Sequence, residues 1–89
     1  MRKIKVGSVY KHFKGNTYKV INIGYDSEKY DANNPNSSRL VVYEDVNKKI
    51  VWVRPYDMFN SLVDKEKYPD IQQEYRFEEI KVYTKKRGK

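Results

Sequence analysis

Cysteine is absent from this chain, histidine and tryptophan occur once each, and no stretch approaches the run of about 18 apolar residues that a membrane helix needs. Without cysteine there is neither a disulfide nor a thiolate-bound zinc to supplement a small core. A lone histidine, His12, excludes the common zinc clusters and every Cys–His arrangement. The four glycines, Gly7, Gly15, Gly24 and Gly88, are spaced as neither a P-loop nor a dinucleotide fingerprint. No apolar segment follows the charged start Met1–Val6, so no secretion signal is read there. These absences point to a cytoplasmic protein with no membrane segment, no cofactor, no bound metal and no catalytic residue. Acid–base chemistry by Glu28 with His12 is the one catalytic pairing left open, and it needs a proximity that spacing does not reveal.

What is present fits one small domain. Its 89 residues are too few to divide into two cores, and the expected organisation is a single unit over 1–89, with a folded core over 7–83 and a frayed basic tail over 84–89. Nine tyrosines make up much of the apolar content, so rings should lie inside with hydroxyls near the surface. Nineteen Lys and Arg against twelve Asp and Glu give a formal charge of +7, which favours anionic partners through steering and counterion release. The basic residues gather at the two ends, an arrangement that plain solvation explains more readily than a specific nucleic-acid contact.

The pattern along the chain is mainly β. Residues 7–13 read as a strand, and Lys14-Gly15-Asn16 carries turn chemistry that joins them in a hairpin to Thr17–Tyr25. In that second strand apolar residues crowd both faces, Tyr18 and Val20 on one and Ile21 and Ile23 on the other. Residues 27–38, rich in Asn and Ser, form a loop longer than an ordinary hairpin connection. Arg39–Asp45 and Ile50–Arg54 are strands joined by a polar turn, with Leu40 and Val42 facing one way and Val41 and Tyr43 the other. Pro55 is placed at the first position of a helix of about three turns, whose stripe is Met58, Phe59, Leu62 and Val63 and which ends before Tyr68-Pro69. Residues 75–82 return to strand. About five short strands and one helix make a strongly bent antiparallel sheet or a small barrel.

Several segments together resemble a bacterial family known as domain of unknown function 1653. The stretches are Gly7, Tyr10-Lys11-His12-Phe13-Lys14-Gly15, Tyr18 and Val20, Ser27-Glu28, Val41-Val42-Tyr43, Trp52-Val53-Arg54-Pro55 with Met58-Phe59, and Arg76-Phe77. Trp-Val-Arg-Pro followed by Met-Phe is the most specific part. Asp26 stands where the pattern has histidine, and the loop over 29–38 is longer than the pattern's. The resemblance implies a compact intracellular bacterial domain with an SH3-like barrel, and it implies no particular activity or ligand.

The candidate ligand-binding residues are His12, Glu28, Tyr43, Trp52, Arg54 and Arg76. A planar guanidinium at Arg54 can hold a carboxylate or phosphate through two bonds, and rings beside it can stack a base or a peptide side chain. The opposing expectation is that Arg54 closes on Glu28 or another carboxylate and ties the long loop to the fold. Trp52 lies in an apolar strand and is expected to anchor the core. The partner is then a nucleic acid or another anionic ligand, or alternatively a peptide or second subunit received by an aromatic groove or a free strand edge.

Overall fold

The computed structural model describes residues 2–80. Five strands form one antiparallel sheet: β1 (Val9–His12), β2 (Thr17–Tyr25), β3 (Arg39–Asp45), β4 (Val51–Pro55) and β5 (Phe77–Glu79), in the order β4-β3-β2-β1-β5. A single helical turn, α1 (Tyr56–Phe59), follows β4, and a short 3-10 turn (Pro35–Ser38) closes the long loop before β3. The mainly β architecture with one short helix is the one the sequence pattern implies. Residues 81–89, which include the expected basic tail, lie outside the described residues.

Local chemistry accounts for the turns. Gly15 has φ +116°, which a side chain would strain, and it lets His12 and Asn16 close the β1–β2 hairpin through a 2.8 Å backbone bond. At the β3–β4 turn the buried Asp45 carboxylate accepts the N–H groups of Asn47 and Lys48, both at 2.9 Å. A bulge at Ile21, where pairing shifts between Val20 and Asn22, reverses the alternation of β2. Ile23 therefore packs against the core cluster with Tyr18 and Val20, whereas Ile21 is exposed, a correction to the two-sided strand expected from periodicity.

The helix is shorter than its apolar stripe implies. Pro55 stays extended as the last residue of β4, and helical geometry ends at Phe59. Asn60 exchanges two hydrogen bonds with Arg2, and the Ser61 hydroxyl bonds back to the Met58 carbonyl. The chain then runs extended beside 74–76, through the backbone bonds Val63 N–H to Glu74 O and Arg76 N–H to Ser61 O. Long-range pairing thus overrides the helical propensity of 60–66. Phe59 and Val63 are buried as expected; Met58 and Leu62 are exposed.

The core is aromatic. Phe59 and Phe77 stack at 4.0 Å, and Tyr10 and Tyr43 meet Phe59 edge-on at 5.5 and 5.1 Å. Two tyrosine hydroxyls accept backbone donors from the N-terminal segment, Tyr56 from Ile4 and Tyr10 from Lys5, both at 2.9 Å. Ile4 is buried with them and belongs to the core cluster.

Candidate ligand-binding seam

β4 and β5 are the two edges of the sheet, yet the sheet bends so strongly that their side chains meet. The Arg54 guanidinium of β4 lies 5.5 Å from the ring centre of Phe77 in β5. No strand pairing joins these edges among the described residues; the gap between them is a seam floored by rings.

Two adjoining clefts occupy the seam. The first, ≈ 180 Å³, is aromatic: its floor includes the buried Tyr43 and Phe77, and its other lining residues are Tyr18, His12, Trp52 and Arg54. The second, ≈ 300 Å³, carries Lys14, Arg54, Lys67 and Arg76 against a single carboxylate, Asp64, with His12, Phe13 and Tyr68 completing the wall. His12 and Arg54 belong to both.

Burial and the surrounding cations set the electrostatics of His12 and Tyr43. Burial, reinforced by the positive charges of Arg54, Lys14 and Arg76, lowers the His12 pKa to about 4, so the imidazole is neutral at neutral pH. Its Nδ1 accepts the Lys14 N–H at 3.1 Å, which leaves the proton on Nε2. The Tyr43 hydroxyl is raised above its ordinary pKa by burial, and the charge and hydrogen bond of Arg54 partly offset that rise. Arg54 thus has a hydroxyl and a ring as neighbours. Among the described residues the ion pair within 4.0 Å is Lys5–Glu79, at 3.3 Å, and Arg54 takes part in none. The expected closure of Arg54 on Glu28 is not formed.

Of the six residues singled out in the sequence, His12, Tyr43, Trp52 and Arg54 line the aromatic cleft, and His12, Arg54 and Arg76 line the cationic one. Glu28 lines neither. It is exposed in the loop after β2, where its N–H bonds to the Asp26 carboxylate at 3.0 Å, so Asp26 organises a local turn there. Trp52 is 48% exposed and forms a wall of the seam, not the core anchor its apolar strand implied. The physical reason is its place on an edge strand, with no neighbour beyond it among the described residues.

Lys14, Lys67 and Tyr68 also line the cationic cleft, and sequence reasoning had assigned them to a turn and a helix end. Tyr68 meets Phe13 edge-on at 5.0 Å, and this contact brings the segment after α1 against the β1–β2 turn. Among the described residues no group of three or more His, Asp or Glu could hold a metal, and no helix is long and apolar enough to cross a membrane.

Residues 8–79 match the family described as protein of unknown function, DUF1653, and the chain belongs to that family. Comparisons with curated proteins and with solved structures return no match.

Proposed function

We propose that this member of the family is a non-catalytic binding module of the bacterial cytoplasm whose β4–β5 seam receives an anionic ligand. The observation that carries the reading is Arg54: a guanidinium common to both clefts, outside any ion pair formed among the described residues, beside three further cations. A cluster of four cations facing one carboxylate attracts phosphate or carboxylate oxygens, and a planar guanidinium orients them. The neutral His12 adds an Nε2–H donor without adding charge. The overall charge of +7 favours encounter with such ligands.

Titration of labelled oligonucleotides and of inorganic polyphosphate against salt tests the reading. Affinity should fall linearly in log–log form as salt rises. Arg54→Gln should weaken binding about tenfold or more, as expected for loss of a charge-assisted contact of about 1.5–3 kcal/mol. Arg54→Lys should recover part of the loss. Absence of binding at low salt, or an equal loss from substituting any exposed lysine, contradicts a specific cleft.

A second reading has its own observation. Val51, Trp52 and Val53 are 51%, 48% and 57% exposed on an edge strand, which could take up a peptide strand or a second copy of the chain. Sedimentation over a range of concentrations tests the self-pairing version: a reversible dimer abolished by Val53→Lys supports it, and a monomer throughout removes it.

A further inference from the structure

Resting on the anion-binding reading of the seam, we propose that the ligand is a single-stranded nucleic acid, held by one unpaired base in the aromatic cleft and by its phosphates in the cationic cleft.

One cleft is lined by rings and the other by cations, and they share Arg54 and His12, so a ligand that fills both combines a flat ring with an anionic part directly attached to it. The aromatic cleft, ≈ 180 Å³, is smaller than the ~300–1,000 Å³ usual for a whole small-molecule ligand, so it suits one ring system with the remainder outside. Its floor of Tyr43 and Phe77 belongs to the core and is pre-formed. Trp52 is the exposed wall, a large indole surface on which a base can stack. The remainder of such a ligand meets Lys14, Arg54, Lys67 and Arg76 in the ≈ 300 Å³ cleft. A nucleotide has both parts in covalent continuity. A duplex keeps its bases stacked and paired, and inserting one would require unstacking at a cost of a few kcal/mol. An acidic peptide supplies the anion but, without an aromatic side chain, nothing for the inner cleft.

Because Trp52 is the only tryptophan, its fluorescence reports occupancy of the aromatic cleft directly. The experiment compares a short oligothymidylate, an abasic strand of the same length and charge, the corresponding duplex, polyglutamate and inorganic polyphosphate, at one salt concentration. Oligothymidylate should bind more tightly than the abasic strand by about fivefold or more, the gain expected from stacking one base, and should quench Trp52. Trp52→Ala, an exposed position, should bring the affinity for oligothymidylate, followed by anisotropy, down toward that of the abasic strand. Equal affinity for the abasic strand, for the duplex or for polyglutamate overturns the base-insertion proposal while leaving anion binding intact. If oligonucleotides and polyphosphate alike fail to bind, the anion-binding reading itself falls.

Discussion

Strands β3 and β4 are hydrogen-bonded neighbours with similar apolar content, and they meet opposite fates. In β3, RLVVYED, burial alternates, with Val41, Tyr43 and Asp45 inside. In β4, VWVRP, no residue is buried. The register pairs Tyr43 with Trp52 and Val42 with Val53, so the two strands direct matched residues to matched faces. What differs is position: among the described residues β3 has β2 and β4 on its flanks, and β4 has β3 alone. Apolar alternation therefore identifies a strand and its faces but not how deeply those faces are covered. A row of exposed apolar residues on an edge is a liability that folds usually blunt, and here Pro55 ends the edge and Arg54 places a charge on it. That charge sits at the opening between the sheet's two edges, where the proposed anion would meet it.

The contrast can be tested by truncation. Phe77→Ala or Phe59→Ala should destabilise the domain by about 3–5 kcal/mol, as large-to-small changes in a core do, whereas Trp52→Ala should cost within about 1 kcal/mol despite removing a larger side chain. Chemical denaturation of the variants measures both. A smaller separation holds between valines of adjacent strands: Val41→Ala should cost about 2 kcal/mol and Val53→Ala about 0.5 kcal/mol or less. A loss at Val53 matching that at Val41 would mean that the edge is covered in solution.

The subtlest expectation concerns His12, in the interior half of the same seam. Its folded-state pKa of about 4 lies below the ordinary 6.5, so between these values the unfolded chain binds the additional proton. Its contribution to stability is complete above pH 6.5 and declines as pH falls from 6.5 toward 4. The wild-type protein should therefore lose more stability across that window than His12→Gln. Parallel pH dependence in the two proteins would contradict a neutral, partly buried imidazole.

Much of this architecture was legible in local sequence, because its causes are local. The Lys14-Gly15-Asn16 turn, the bounds of β3 and its facing pattern follow from turn chemistry and period-two alternation. The features that escaped depend on distant partners. The bulge at Ile21 is visible only in the pairing with β3. The helix after Pro55 stops early because Asn60 is engaged by Arg2, 58 residues away in sequence, and because 61–63 pairs with 74–76. Likewise, Arg54 and Trp52 stood out as an unusual combination, but their cleft partners Lys14, Lys67 and Tyr68 come together only through the bend of the sheet and the Phe13–Tyr68 contact.

The central claim, that the seam between the sheet edges is a ligand site read by Arg54, is tested most directly by nuclear magnetic resonance. The Arg54 Nε–H and Trp52 Nε1–H resonances are followed during titration with a short oligothymidylate. The account predicts saturable shifts concentrated on Arg54, Trp52, His12 and Arg76, with residues of the loop after β2, including Glu28, unmoved. Small shifts spread over the exposed lysines, with Arg54 and Trp52 unchanged at saturation, would contradict it.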